Sequence, residues 1–318
     1  MRALVTGADG FVGQWLLRAL LDAGDEVTGT IREASPALTT LDESSAQRVR
    51  WVRADLADQA ALERALADAD AEAVYHLAAQ PSVAASFEKP AETFDANVMG
   101  TLHLLEACRK RAPGSKFLFV GSSEVYGAPA GAEPIREDAP LLPQSPYASS
   151  KAAAEAIALQ YARSQWLSVV ATRSFNHTGP GQSGAFAVTS FAKQIAEVKA
   201  GRRPPKLAVG NLSPRRDYTD VRDVVAAYRL LVERGETARP YNVCSGRSMS
   251  MREIVDDLLT IAGVDASVET DPALVRPIDA ALIVGDNSAL ARDTGWRPNI
   301  PLVRTLSDVF EFCATRRA

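Results

Sequence analysis

Cysteine is scarce in this chain. Three occur in 318 residues, Cys108, Cys244 and Cys313, an odd number set far apart. That excludes a disulfide framework and argues against a cysteine-built zinc site, so no metal is expected. Long apolar runs are missing too: none reaches membrane-spanning length, and no membrane partner is expected. The chain enters its first apolar run at Ala3-Leu4-Val5 without a basic-then-apolar leader. No secretory signal is therefore expected, and a cytoplasmic location is. There is no Lys/Arg run and the formal net charge is -4. This argues against a nucleic-acid partner but leaves room for a single anionic small molecule held by local arginines. Internal repeats and low-complexity tracts are absent, apart from enrichment in alanine.

The 47% of hydrophobic residues suffices for a full core, and the 23% of charged residues is ordinary for a globular protein. Apolar runs alternate with amphipathic stretches through the first half. Strands are expected at Arg2 to Thr6, Glu26 to Ile31, Arg50 to Val52 with Ala54-Asp55-Leu56 following, Ala73 to Leu77, Lys116 to Gly121 and Ser168 to Arg173. Helices are expected at Gln14 to Ala23, Gln59 to Ala67 capped by Asp58, Pro90 to Arg111 and Ser145 to Gln165. This alternation predicts an α/β fold, a doubly wound parallel sheet whose strand C-termini share one ligand-binding edge.

After Phe175 the rhythm changes, with Gly179-Pro180-Gly181, Arg202-Arg203-Pro204-Pro205 and a helix from Ala185 to Ala200 between them. A short strand at Leu207-Ala208-Val209, another at Tyr241-Asn242-Val243 and a helix from Met251 to Ala262 follow. A smaller mixed α/β lobe is expected here, threaded in and out of the first. The expected division is 1–172 with about 219–248 for one domain, and 173–218 with 249–318 for the other.

The first strand leads into Thr6-Gly7-Ala8-Asp9-Gly10-Phe11-Val12-Gly13 and then a helix. Glycines at intervals of three suit a tight turn, a close backbone approach to a pyrophosphate and close helix–strand packing. The helix N-terminus adds free N–H groups and a positive dipole end. A Rossmann-type dinucleotide site is therefore expected. The second strand ends at Arg32 where an NAD binder usually carries a carboxylate. A guanidinium suits a 2′-phosphate, so NADP(H) is the preferred cofactor, with NAD(H) possible. The alternatives for Arg32 are stacking on adenine or plain solvation.

Tyr147 and Lys151 stand four apart near a helix start, which puts them on one face. A phenol titrates near pH 10, and a neighbouring ammonium is expected to lower that value. The serines of Gly121-Ser122-Ser123-Glu124 follow the fifth strand at the ligand edge, where a hydroxyl can position a carbonyl.

Together with Tyr75-His76-Leu77-Ala78-Ala79 and Asn97-Val98-Met99-Gly100-Thr101, these motifs resemble the extended short-chain dehydrogenase/reductase family, in the family's order along essentially the whole chain. The resemblance implies a catalytic set of Ser122, Tyr147 and Lys151. Tyr147 would exchange the proton at the sugar oxygen, Lys151 would hold the nicotinamide ribose, and Ser122 would bind the carbonyl. It implies cofactor contacts at Gly7, Gly10, Phe11, Val12, Gly13, Asp55, Leu56, Leu77, Ala78 and Ala79 as well.

The run Phe175-Asn176-His177-Thr178-Gly179-Pro180-Gly181-Gln182 and the later Gly210-Asn211-Leu212 with Arg215-Arg216-Asp217 look like the branch acting on GDP-sugars. By that likeness Asn176, Arg216 and Arg276 bracket a diphosphate, Ser123 touches the sugar and Lys193 contacts guanine. The bland alternative for each arginine is a structural ion pair, and His177 reads as a loop histidine. The reaction implied is NAD(P)H-dependent reduction of the 4-keto group of GDP-4-dehydro-6-deoxy-D-mannose to GDP-D-rhamnose. The rival is a GDP-mannose 4,6-dehydratase with Glu124 as base, since sugar dehydratases place a Glu two residues before the tyrosine of this loop. An epimerase and an inactive dinucleotide-binding regulator are further alternatives. Apolar residues on more than one face of the two long helices, Leu102, Leu104, Leu105, Ile157 and Leu159, lead us to expect a homodimer through a four-helix contact.

Overall fold

Short β-branched runs form the strands and alanine-rich amphipathic stretches form the helices that cover them. The computed structural model describes residues 1–128, 134–275 and 280–315. In chain order the first half runs β1 (Arg2–Thr6), α1 (Phe11–Asp22), β2 (Glu26–Ile31), α2 (Glu43–Gln47), β3 (Val49–Arg53), α3 (Gln59–Ala69), β4 (Ala73–His76), α4 (Val83–Glu88), α5 (Pro90–Phe94), α6 (Gly100–Arg111), β5 (Lys116–Ser122), α7 (Pro146–Arg163) and β6 (Ser168–Ser174). The second half runs β7 (Asn176–Thr178), α8 (Ala187–Lys199), β8 (Lys206–Val209), β9 (Arg215–Asp220), α9 (Val221–Arg234), β10 (Pro240–Val243), β11 (Ser248–Ser250), α10 (Met251–Ala262), β12 (Ser267–Thr270), β13 (Leu282–Ile283), α11 (Ser288–Thr294) and α12 (Leu302–Thr315).

Seven strands make one parallel sheet in the order β10-β6-β5-β4-β1-β2-β3. The order reverses between β1 and β4, so the loops leaving those two strands part and open a crevice at the C-terminal edge. One face buries Leu16, Leu17 and Leu20 of α1 with Val224, Tyr228 and Leu231 of α9. The other buries Leu62 and Leu66 of α3, Leu104 and Leu105 of α6 and Ala154 and Ala158 of α7. The expected parallel α/β architecture is the one observed.

The departures are local. The first helix starts at Phe11 rather than Gln14, because Gly13 lies inside its first turn. Asp55 and Leu56 leave the third strand and sit in the turn after it. The expected helix from Pro90 to Arg111 is interrupted by a π-helical turn at Asp95–Met99. Leu104, Leu105 and Leu159 are fully packed in the core, and Leu102 and Ile157 lie partly buried against it. Leu102 and Ile157 keep part of their surface open, and Phe87, Phe94, Met99 and Trp166 are exposed in the segments around the two long helices.

In the second half, β9 pairs with β7, β11 and β13, and β8 pairs with β12. Phe191 and Ile195 of α8, Ile254 and Leu258 of α10 and Leu306 and Val309 of α12 form a separate apolar cluster. Asp220 ties the parts together, accepting from Arg222 and from Thr305 Oγ1 at 2.7 Å. Trp15 of α1 donates to Pro180 O at 3.0 Å, and its ring meets the guanidiniums of both Arg18 and Arg222. No helix among the described residues is long and apolar enough to cross a membrane.

Candidate active site

The crevice begins at the glycine loop. Gly7 has φ +65°, and a Cβ there would lie 3.0 Å from Ala78 Cα on the opposite wall. A Cβ at Gly13 would lie 2.3 Å from Gly7 O and 2.6 Å from Ala8 O, so strand and helix touch backbone to backbone. Gly10 is exposed and caps α1 without any side-chain bond, and no acidic residue occupies the first turn. The open N–H groups and positive end of that helix are thus left to an anion. This cradle fits a dinucleotide pyrophosphate, with Phe11 and Val12 opening the helix and Leu77, Ala78 and Ala79 across the crevice.

Arg32 is exposed just beyond β2, and Arg53 at the end of β3 donates from Nε to Arg32 O at 3.0 Å. Two guanidinium side chains therefore leave adjacent strand ends. Asp55 is exposed, its carboxylate accepting from Ala57 N at 2.8 Å. Leu56 packs on Gly100, where a Cβ would meet it at 2.8 Å.

A chain of hydrogen bonds runs beneath this crevice from one wall to the other. Ala78 N–H donates to Thr6 Oγ1 at 3.1 Å, and Thr6 Oγ1 is 2.9 Å from His76 Nδ1. Thr101 Oγ1 donates to Asn97 O at 2.6 Å and lies 3.0 Å from His76 Nε2. Thr101 must then accept from Nε2–H, which fixes the neutral tautomer with Nδ1 accepting from Thr6. Burial agrees, pushing the His76 pKa down to about 3, with Lys151 adding to it. Asn97 sits in the π-helical turn, and its Nδ2 donates to Ser150 Oγ at 2.9 Å. Ser150 Oγ donates to Tyr147 O at 2.7 Å. The extra residue of the π turn thus brings a buried amide onto the first turn of α7, a use typical of such turns at functional sites.

Tyr147 and Lys151 occupy successive turns of α7, which Ser145 caps by accepting from Ala148 N. Ser122 ends β5, and its hydroxyl acts on the Tyr147 phenol. Burial pushes that phenol up to about 12, Ser122 pulls the other way and Glu124 adds to the rise. The expected lowering by Lys151 is not what the protein environment produces. The Lys151 ammonium donates to Val120 O at 2.8 Å and lies 5.4 Å from the Phe119 ring centre, and burial lowers its pKa to about 8. Ser123 is buried, whereas Glu124 is exposed.

A second buried network braces these elements. Arg173 of β6 grips Glu155 of α7, two turns beyond Tyr147, with an N–O distance of 2.7 Å. Its other nitrogen donates to Tyr126 Oη at 2.9 Å, and Tyr126 donates to Asn242 Oδ1 at 2.7 Å. The Ser122–Tyr126 segment and α7 are therefore clamped to the same guanidinium. Arginine and glutamate at these positions carried no motif that would have marked them in the sequence.

The proposed substrate residues are more dispersed. Asn176 of β7 is half-buried in register with Tyr218. His177 donates from Nδ1 to Phe175 O at 2.9 Å and stacks parallel to Phe11 with ring centres 6.4 Å apart. It is thus a satisfied histidine beside the glycine loop. Arg216 is half-buried and donates to Arg215 O at 2.8 Å and Ala280 O at 2.7 Å. Lys193 is exposed on α8, where it acts on the Cys313 thiol of α12. Arg276 lies outside the described residues.

A doubly wound sheet with an uncapped glycine loop, a serine at the end of β5 and a Tyr-x-x-x-Lys helix defines an extended short-chain dehydrogenase/reductase. Residues 4–309 match the family model described as GDP-mannose 4,6 dehydratase, and the chain belongs to that family. It is 41% identical over 236 residues, 74% of this chain and 78% of the relative, to the GDP-6-deoxy-D-mannose reductase of Pseudomonas aeruginosa. The structure of RMD from Pseudomonas aeruginosa complexed with NADPH superposes with a TM-score of 0.85 at 34% identity, covering 100% of both chains. The UDP-glucose 4-epimerase of Thermus thermophilus in complex with NAD gives a TM-score of 0.86 at 32% identity, covering 99% of both chains.

Proposed function

We propose that this protein reduces the 4-keto group of GDP-4-dehydro-6-deoxy-D-mannose to GDP-D-rhamnose, preferring NADPH and accepting NADH. One observation carries the reading: Tyr147 and Lys151 stand one turn apart on α7 with Ser122 at the end of the neighbouring β5, in a chain 41% identical to a GDP-6-deoxy-D-mannose reductase. When bound, the dinucleotide would supply the hydride for carbon 4. Gly7, Gly10 and Gly13 would hold its pyrophosphate, Arg32 its 2′-phosphate, and Asp55 and Leu56 its adenosine end. Ser122 donates to the ketone oxygen and polarises it. As negative charge develops there, Tyr147 gives up its proton to that oxygen. A phenol held near 12 stays protonated at neutral pH, the state a proton donor requires. Lys151, charged below about pH 8, is assigned to the nicotinamide ribose. Asn176, Arg216 and Arg276 are assigned to the diphosphate, Ser123 to the sugar and Lys193 to guanine.

The competing reading is the 4,6-dehydratase. It is favoured by Glu124, an exposed carboxylate close enough to act on the Tyr147 phenol, and by the family's own description. Incubation with GDP-mannose alone, and separately with the keto sugar plus NADPH, separates the two. Oxidation of NADPH only with the keto sugar supports the reductase. Consumption of GDP-mannose without added reductant overturns it, and binding of NADPH with no turnover of either sugar points to an inactive regulator.

We further propose a cytoplasmic homodimer, pairing through the face that carries exposed Phe94 and Met99 before and within the π turn; a monomer mass at micromolar concentration contradicts it. The domain division at 172, with about 219–248 returning to the first domain, is supported by β10 joining the large sheet and by the separate cluster of α8, α10 and α12.

A further inference from the structure

We infer that Gln14 is a positioning residue that sets the preference between NADPH and NADH; this rests on the reading of Arg32 as the 2′-phosphate ligand. Gln14 is 2% exposed on the first helix, directly after the third glycine. Its Oε1 accepts three successive backbone N–H groups, from Thr39 at 2.8 Å, Thr40 at 2.8 Å and Leu41 at 3.1 Å. Its Nε2 donates to Asp9 O at 2.7 Å and to Ala37 O at 3.2 Å. One buried amide therefore fastens the segment that follows Arg32 onto the glycine loop. Three converging N–H groups form a concavity that demands an acceptor, and Gln14 Oε1 supplies one.

The clasp has support from the far side. Arg18 donates to Thr40 O at 2.7 Å, and a Cβ on Gly181 would strike Thr40 Cγ2 at 2.3 Å. The segment is thus packed as well as bonded. The pyrophosphate cradle lies at Gly10, and Arg32 precedes the clasped residues 37–41 on the same loop. A fixed spacing between them matters for a ligand that carries a phosphate at both places. It matters less for one lacking the 2′-phosphate.

The test is the affinity of purified full-length protein for NADPH and for NADH, measured by fluorescence titration. Gln14→Ala is expected to weaken NADPH about tenfold and NADH about threefold or less, the scale of losing preorganisation at one charged contact. Gln14→Glu keeps the acceptor for the three N–H groups and loses the donor. It is expected to weaken both dinucleotides but to keep their ratio within about threefold of wild type. It also decides the matter should the alanine variant not fold. In an Arg32→Ala background, Gln14→Ala should cost the two dinucleotides equally. Equal weakening in the otherwise wild-type chain, or a Glu variant that has lost the preference, overturns the role of Gln14 alone. An Arg32→Ala variant that keeps full NADPH preference overturns the 2′-phosphate reading beneath it.

Discussion

Lys151 should destabilise the fold that it serves. The residue is 7% exposed, and burial lowers its pKa from 10.5 to about 8. At 1.36 kcal/mol per pH unit the burial of that charge costs roughly 3 kcal/mol whenever the folded state holds it protonated. Replacing it with methionine removes the cost but forfeits the bond to Val120 O and the contact with the Phe119 ring. Those losses are worth about 1–2 kcal/mol. Lys151→Met should therefore be more stable than wild type at pH 7 by about 1–2 kcal/mol, an upward shift of about 2–4 °C in the melting midpoint.

The gap must change with pH in a stated direction. Below pH 8 both folded and unfolded chains hold the proton, and the full cost is present. Between about 8 and 10.5 the unfolded chain still binds a proton that the folded chain has shed, so wild-type stability rises with pH. Above 10.5 the cost is gone, and the methionine variant should fall below wild type. Paired thermal scans without dinucleotide from pH 7 to pH 11 cancel every other titration. A variant less stable than wild type at pH 7, or a gap that ignores pH, refutes the reasoning.

Gly13→Ala puts a Cβ 2.3 Å from Gly7 O and should cost at least about 3 kcal/mol and abolish NADPH binding, whereas Gly184→Ala, which meets nothing within 4 Å, should stay within about 0.5 kcal/mol in the same denaturant titration. Ser150→Ala cuts the link to Tyr147 O and should lower kcat about tenfold with a smaller change in KM for NADPH; adding Asn97→Ala should cost less than the sum of the two single effects, because both act through one chain of bonds. Glu155→Gln leaves the buried Arg173 guanidinium without its counter-charge and should destabilise the protein by about 3–5 kcal/mol, read as a lower urea midpoint.

The parts of this molecule that were legible in its sequence are those governed by short, regular spacing. The glycines at 7, 10 and 13 and the pair at 147 and 151 announce their geometry because each obeys one local period. The alternation of strand and helix gave the sheet for the same reason. The π turn at Asp95–Met99 was hidden, since one residue of extra winding leaves composition unchanged. The first turn of α1 was hidden because Gly13, a poor helix former, is selected there by the 2.3 Å approach of Gly7 O. The sheet around β9 and the clasps built by Gln14 and Arg173 join residues far apart in the chain, and no local pattern records which distant carbonyl a buried amide or guanidinium will meet.

The account stands on delivery of hydride and proton to one carbonyl, and a labelled cofactor tests that directly. GDP-4-dehydro-6-deoxy-D-mannose should be reduced with NADPH deuterated at nicotinamide carbon 4, using each face in turn, and the product examined by NMR. The expected result is one deuterium at sugar carbon 4 per NADPH consumed, from one face only, with Tyr147→Phe slowing the reaction by about a thousandfold. Deuterium at any other carbon, none in the sugar, or wild-type turnover by the phenylalanine variant would contradict it.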